Sequence, residues 1–279
     1  MTSTPRPAPL RVPEDPGGGP AHADGMFLSC RPGSFRTAKG EAYAHLAAWG
    51  VRYVEIPLPK PEETEAVLRE LERHGLAAGS LQVPTDVGDP ELAARFGAAA
   101  RRVREEFGAG YIFTSVRAGE HGVEAARAAL LRAGEAAAHH GVTIVLETHP
   151  DLCTNGAVAA ETMRAVDHPN VRLNWDPANV YFYNEHCDGR AEFELALPFI
   201  AAAHLKDTGG GFRAWDFAAL GDGVVDFAHL LGRLRERGFR GPCTMEIEGV
   251  RGEQLSPEQY VARVQKSVAH LRALGYFAR

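Results

Sequence analysis

Short apolar runs alternate with amphipathic stretches from residue 25 to the end of the chain. The apolar runs predict eight strands: MFLSC, VRYVEIPL, LAAGSLQV, YIFTSV, VTIVLET, VRLNWD, AAAHLK and CTMEIE. The stretches between them repeat apolar residues at helical spacing and predict eight helices, near 37–49, 62–74, 90–107, 121–140, 156–167, 189–198, 226–238 and 256–274. Strictly alternating units imply parallel strands, and eight of them favour closure. The predicted fold is therefore a single α/β domain, a (β/α)8 TIM barrel.

The first 24 residues follow a different pattern. They are rich in proline, glycine and alanine and carry almost nothing that could be buried, so they predict a disordered leader. The chain then divides into a leader, residues 1–24, and a barrel domain, residues 25–279. A length of 279 residues suits one barrel, and no GxGxxG turn leads into a helix, so a dinucleotide site is not indicated.

Composition and charge narrow the class of partner. The chain has 36 acidic and 30 basic residues. This net charge of −6 lacks the excess of positive charge that is typical of proteins that bind nucleic acid or an anionic membrane. A small-molecule partner is favoured. The four cysteines are scattered without a CxxC pair, which is typical of a reducing cytoplasm. We find no apolar run near the roughly 18 residues that span a bilayer, and no hydrophobic signal core.

Four residues that can bind a metal stand at the ends of four successive predicted strands. They are Glu147, Asp176, His204 and Glu246. In a parallel barrel the carboxyl ends of the strands share one face, so the four side chains are expected to converge there. Three carboxylates and one imidazole predict a site for one divalent ion. Mn²⁺ or Mg²⁺ suits the carboxylates, and the imidazole makes Co²⁺ or Zn²⁺ admissible.

The segments LETHP, NWDPAN, AHLKD, LGDGVVDF and TMEIEG occur in an order and at separations that resemble the xylose isomerase-like barrel family. That family includes sugar phosphate isomerases and epimerases, inosose dehydratases and, more distantly, the endonuclease four type of DNA repair enzyme. The resemblance covers roughly residues 25–275. It implies that Glu147, Asp176, His204 and Glu246 bind one divalent ion. Glu248 is then a loop residue or a residue that supports a metal ligand by contact. It also makes a homodimer or homotetramer plausible.

Two departures from the family pattern are informative. The DNA repair branch requires extra histidines, one of them at the position of Asn179, and the strand ends LQVPTD and FTSVRAGE offer none in place. Together with the acidic net charge, this argues against a nuclease. Many ketose epimerases also have a histidine at the position of Asn179, which weakens the match to that branch.

A divalent ion at such a site supports proton transfer beside a carbonyl. Chelation of a ketose through its carbonyl and adjacent hydroxyl oxygens stabilises an enediolate, with Glu147 and Glu246 as base and acid in either order. The predicted function is a sugar or sugar phosphate isomerase or epimerase. The alternative is a metal-dependent dehydratase of inosose or keto-polyol type, in which a hydroxyl β to the carbonyl departs. A non-catalytic sugar-binding barrel is the minor alternative.

Three further strand-end residues are candidate substrate contacts. His149 is expected to bind a substrate oxygen or to orient Glu147. Lys206 is expected to hold an anionic oxygen or donate a proton, or else to pair with a nearby acid. Glu55, at the end of VRYVEIP, is expected to contact a substrate hydroxyl or support a metal ligand, or else to be a solvated charge at the strand end.

The long connection at residues 208–223 is a candidate binding loop, because connections of this length in compact barrels tend to be lids. Its candidate contacts are Arg213, whose guanidinium binds phosphate or carboxylate, and Trp215, whose indole stacks on a sugar face. The alternative is that Trp215 packs the loop down and Arg213 is solvated.

Overall fold

The computed structural model describes residues 25–277, so the predicted leader lies outside the described residues. Eight parallel strands close into a barrel in chain order, which confirms the predicted fold. The barrel strands are β1 (Phe27–Cys30), β2 (Tyr53–Pro57), β3 (Ala77–Gln82), β4 (Tyr111–Thr114), β5 (Thr143–Glu147), β6 (Val171–Trp175), β7 (Ile200–Leu205) and β9 (Pro242–Met245). Each coincides with a run that the apolar residues predict, except that β7 and β9 begin one residue earlier, at Ile200 and Pro242.

Nine α-helices occur in the described part of the chain. They are α1 (Ala42–Ala48), α2 (Thr64–Arg73), α3 (Leu92–Glu105), α4 (Val123–Ala138), α5 (Gly156–Val166), α6 (Pro177–Tyr183), α7 (Gly189–Ala196), α8 (Phe227–Glu236) and α9 (Pro257–Ala273). None of the helices in residues 25–277 combines the length and apolar character needed to cross a membrane.

The first predicted helix is partly wrong. Residues Pro32–Glu41 form a 3-10 helix interrupted at Arg36, where φ is 52°, and α-helical geometry begins only at Ala42. The prediction placed this start near residue 37. Pro32 and two glycines, Gly33 and Gly40, lower α-helix propensity across the segment, and this accounts for the late start.

The sequence pattern also missed three elements on the carboxyl-end face of the barrel. Helix α6 follows β6 directly. Strands β8 (Asp216–Phe217) and β10 (Gly249–Val250) pair antiparallel and join the loop after β7 to the loop after β9. The predicted count of eight strands and eight helices is therefore too low for residues 25–277.

The alternation of side chains along each strand positions the site. Val145 and Glu147 point to one side of β5, and Ala202 and His204 point to one side of β7, because side chains two apart share a face. Phe113, Val145 and Ala202 form a small buried cluster of their own. The Phe113 ring lies 4.6 Å from the His204 ring, so apolar residues lie beneath the polar strand ends.

Candidate metal centre

The four predicted ligands converge at the carboxyl ends of the strands. One ligand atom each from Glu147, Asp176, His204 and Glu246 lies within 4.8 Å of the others, and all four residues are buried. Glu147 is the last residue of β5, and Asp176 and Glu246 directly follow β6 and β9. Their placement follows from the parallel barrel, which brings successive strand ends together.

The Asp176 carboxylate is held by the start of α6. Its Oδ1 atom accepts hydrogen bonds from the backbone N–H groups of Ala178 and Asn179, at 2.9 and 3.0 Å. This N-cap fixes the side chain, and Pro177 at the first helical position favours the same start. The other oxygen, Oδ2, is buried without a hydrogen-bond partner. Burial raises the pKa of this carboxyl, against the opposing charges of Lys206 and His204.

The His204 imidazole is oriented by Glu55. Its Nε2 atom lies 3.1 Å from Glu55 Oε1, while Ser80 Oγ donates to the other oxygen of the same carboxylate at 2.7 Å. Nδ1 has no hydrogen-bond partner, although it lies 3.1 Å from Glu246 Oε2. Because Glu55 holds the proton on Nε2, Nδ1 is the ring atom that would face a metal ion, as in metal-binding histidines whose other nitrogen is bonded to a carboxylate.

Glu55 is ionised in this arrangement. Burial would raise the pKa of its carboxyl, but His204 and Arg31, with the Ser80 hydrogen bond, hold the pKa down to about 2. Glu55 is buried, so it is not a solvated charge at the strand end, and the structure shows it in contact with the candidate ligand His204. Gln82 supports the same carboxylate at 3.3 Å.

These residues fit a divalent cation. Three carboxylates meet one imidazole, and two buried atoms of the group, Asp176 Oδ2 and His204 Nδ1, have no hydrogen-bond partner. Buried polar atoms without partners are costly, and a cation bonded to both would satisfy them. Oxygen-rich sets with one nitrogen are those that Mg²⁺, Mn²⁺ or Zn²⁺ accepts.

Lys206 lies beside this group. Its Nζ atom contacts Glu248 and lies 3.4 Å from Glu246 Oε2 and 3.6 Å from Asp176 Oδ2. Burial lowers the pKa of the ammonium, but the nearby carboxylates outweigh this and raise it. Lys206 therefore carries a positive charge against the cluster, and Glu248 is its partner rather than a member of the four-residue group.

Two residues that the sequence prediction missed contact the glutamates. Arg31 follows β1 and donates to the Glu246 carboxylate, and it also lies 3.5 Å from Glu55. Ser115 follows β4 and donates to Glu147. Both stand directly after a strand, so the strand-end criterion that found the ligands could have found them.

A cavity of about 540 Å³ lies on the same face of the barrel. Its lining residues are Arg117, Pro150, Phe182, Tyr183, Arg213 and Arg251. Predicted contact Arg213 therefore lines it. His149 stands at the edge, with Nε2 3.4 Å from Arg117 and its ring 5.1 Å from the Tyr183 ring. It is not part of the four-residue metal group.

Trp215 packs the loop after β7 in place. Its ring lies edge-on to Phe182 and Phe217, and 36% of the residue is exposed. The indole therefore has a free edge at the surface beside the cavity. This matches the packing alternative and leaves sugar stacking a prediction.

The loop after β7 is organised by Asp207, which is buried. Its carboxylate accepts hydrogen bonds from the backbone N–H groups of Thr208, Gly221, Gly223 and Val225. One side chain thus holds both ends of the loop. A neighbouring acid on the same loop, Asp222, instead pairs with Lys266 at the surface.

We expect Asp207→Ala to lower the free energy of unfolding by about 2–4 kcal/mol. Hydrogen bonds to a charged carboxylate are strong, and the substitution leaves four backbone N–H groups without their acceptor. Asp222→Ala is the control, with an expected loss of about 0.5 kcal/mol for an exposed ion pair. Urea unfolding measures both. Equal losses would contradict the assignment of Asp207 as the loop anchor.

A family model described as xylose isomerase-like TIM barrel matches residues 43–274. The chain is also 27% identical over 232 residues to L-ribulose 3-epimerase of Methylomonas sp. (strain DH-1), a match covering 74% of this chain and 77% of that protein. Both findings agree with the motifs found in the sequence.

Solved structures have the same fold. The probable 3-DHS dehydratase AsbF of Bacillus anthracis, involved in petrobactin synthesis, superposes with a TM-score of 0.68 at 18% identity, over 88% of this chain and 99% of that one. A xylose isomerase-like barrel protein of Mycobacterium smegmatis, solved with magnesium, gives 0.69 at 17% identity, over 91% and 98%. At these identities both bear on the fold alone.

Proposed function

The chain belongs to the xylose isomerase-like TIM barrel family, and on this premise we propose that it is a divalent-metal-dependent sugar or sugar phosphate isomerase or epimerase. The observation that carries the proposal is the buried group of Glu147, Asp176, His204 and Glu246 within 4.8 Å. Similarity to an L-ribulose 3-epimerase supports the isomerase class. The metal identity, a homodimer or homotetramer and a cytoplasmic location stay predictions.

Proton transfer is assigned to the two glutamates. When bound, the ion would hold the carbonyl and adjacent hydroxyl oxygens of a ketose and stabilise the negative charge that develops as a proton leaves carbon. Glu147 ends β5 and Glu246 directly follows β9, so the two carboxylates reach the site from separate strand ends, and one can remove the proton while the other returns it. Return to the opposite face inverts that carbon, and return to the neighbouring carbon gives an aldose.

The neighbours of the glutamates hold these carboxylates for the reaction. Ser115 donates to Glu147, and Asn179 Nδ2 lies 3.4 Å from Glu147 Oε1 while also donating to the Thr148 carbonyl. Arg31 donates to Glu246. Each glutamate is therefore oriented by a residue on another element, which limits rotation away from the substrate carbon.

Lys206 is the observation that favours a second candidate, a metal-dependent dehydratase. Its ammonium is buried 3.4 Å from Glu246 and is positively charged. In that position it could protonate a hydroxyl group that leaves from the carbon β to the carbonyl. Ultraviolet absorbance separates the two functions, because dehydration creates a conjugated or enolisable product and isomerisation leaves the spectrum nearly unchanged.

The test begins with metal content. We expect the wild-type protein, after dialysis against chelator and reconstitution with Mn²⁺, to retain about one ion per chain, and Glu246→Ala to lose most of it. Glu248→Ala is the matched control and should retain the ion, because Glu248 contacts Lys206 instead of joining the group. Elemental analysis gives the readout.

A wild-type protein that binds no Mn²⁺ would contradict the proposal. If the metal binds, ketoses are screened for incorporation of deuterium from heavy water beside the carbonyl. Exchange without growth of ultraviolet absorbance supports the isomerase or epimerase, and growth of absorbance supports the dehydratase.

A further inference from the structure

Three of the six residues that line the cavity are arginines from separate parts of the chain. Arg117 follows β4, Arg213 lies in the loop after β7, and Arg251 follows β10. All three are exposed. The fold thus brings three guanidinium groups to one cavity on the face that carries the metal centre.

These arginines differ from those on the helical exterior. Arg102, Arg127 and Arg233 pair with glutamates along or between helices. Within residues 25–277, by contrast, none of the three cavity arginines has an ion pair within 4.0 Å. In a chain of net charge −6, three unpaired cations around one cavity form a local positive site.

The backbone holds two of these arginines in place. The Arg213 N–H donates to the Phe182 carbonyl at 3.0 Å, and the Arg251 N–H donates to the Trp215 carbonyl at 2.9 Å. These hydrogen bonds fix the backbone from which each of the two side chains extends. Arg117 lies on the side of the cavity nearer the metal centre, because its Nη2 atom is 3.4 Å from His149, two residues beyond Glu147.

The remaining wall is suited to the uncharged part of a substrate. Pro150, Phe182 and Tyr183 supply apolar and aromatic surface, and a volume of about 540 Å³ lies in the range of small-molecule sites. The metal centre is lined by carboxylates, which would repel an anion. An anionic group would therefore bind at the arginine side.

We propose that the substrate carries a phosphate or carboxylate group remote from the reacting carbon, and that Arg117, Arg213 and Arg251 bind it. This inference rests on the proposed function, since it identifies the substrate class of the same site. A guanidinium offers two parallel N–H donors that match two oxygens of a phosphate or carboxylate. Three guanidinium groups around one cavity therefore favour a substrate with an anionic group over a neutral sugar.

The test compares probes that differ in charge. Calorimetry on the Mn²⁺-loaded protein measures binding of D-ribulose, D-ribulose 5-phosphate and D-gluconate. We expect at least one anion to bind about 10-fold or more tightly than D-ribulose, and its affinity to fall as salt is raised. Preference for the sugar phosphate identifies a phosphate group, and preference for gluconate identifies a carboxylate.

Single variants then assign the effect to the cavity. Arg117→Gln, Arg213→Gln and Arg251→Gln should each weaken binding of the preferred anion by about 10-fold, and weaken binding of D-ribulose much less. Arg101→Gln is the control, because Arg101 pairs with Glu105 on α3 outside the barrel. Equal affinity for neutral and anionic probes, or variants without effect, would overturn the inference.

Metal content separates this result from the proposed function. If the protein holds one Mn²⁺ per chain and prefers no anion, only the substrate class is wrong. If it binds no Mn²⁺ but loses anion binding in the arginine variants, the anion site stands and the metal mechanism fails.

Discussion

Glu147→Gln is expected to slow conversion of the ketose to its isomerised or epimerised product by about 10²- to 10⁴-fold, the usual contribution of a positioned acid or base. Glutamine has nearly the same shape and keeps an oxygen that can face the metal. It cannot take up a proton near neutral pH. The Ser115 hydroxyl, which donates to the Glu147 carboxylate, can instead accept a hydrogen bond from the amide N–H, so the side chain should stay in position with its oxygen toward the metal.

The measurement is the rate at which the ketose that the wild type converts fastest gives product labelled with deuterium from heavy water, followed by NMR. Glu124→Gln serves as the control, because Glu124 lies exposed on α4 outside the barrel. Metal content is determined for each variant. A Glu147→Gln protein that retains both its metal and the wild-type rate would show that Glu147 does not transfer the proton.

Metal binding is expected to stabilise the fold strongly. At a free Mn²⁺ concentration of about 100 times Kd, linkage gives roughly 2.7 kcal/mol of unfolding free energy. For a domain of this size that corresponds to a rise in Tm of about 5–10 °C. The physical reason is that the buried carboxylates repel one another and leave Asp176 Oδ2 unsatisfied unless a cation neutralises them.

Asp176→Asn tests this linkage without removing the helix cap. Asparagine can accept the same N–H bonds from Ala178 and Asn179, so α6 should still start correctly. An uncharged amide NH2 group replaces the second oxygen, which removes the negative charge and one metal-binding atom, and most of the Mn²⁺-dependent rise in Tm should be lost as a result. Thermal unfolding with and without Mn²⁺ measures the difference.

Asp188→Asn is the matched control for that experiment. Asp188 caps α7 in the same manner, accepting from the N–H groups of Arg190 and Ala191, but it lies outside the metal group. Asp188→Asn should keep the full Mn²⁺-dependent rise in Tm. If Asp176→Asn also keeps the full rise, Asp176 does not bind the ion.

The sequence predicts the barrel and the convergence of the ligands because both depend on strand ends. Because side chains alternate along a strand, a polar residue near the strand's end has little freedom in where it points, as Glu147 and His204 show. The same logic could have predicted Arg31 and Ser115. They were missed because an arginine or serine after a strand is not a metal ligand.

Other features depend on contacts between distant loops and leave weak local signals. Strands β8 and β10 have two residues each, too few to show a period. The partners of Lys206 and Asp207 come from residues up to 42 positions away, counting from Lys206 to Glu248. Helix α6 is different, since Asp176 followed by Pro177 is an N-cap signature that could have been used.

The small sheet of β8 and β10 constrains how substrate preference can change in this barrel. Because Val250 pairs with Asp216 and Gly249 with Phe217, the loop carrying Arg213 and the loop carrying Arg251 share backbone hydrogen bonds. Moving either loop alone separates these two short strands, and the moved strand then depends on the recipient barrel for a partner. Residues 206–226 and 246–256 should therefore be exchanged together, as one interchangeable unit, in any attempt to redesign or recombine specificity.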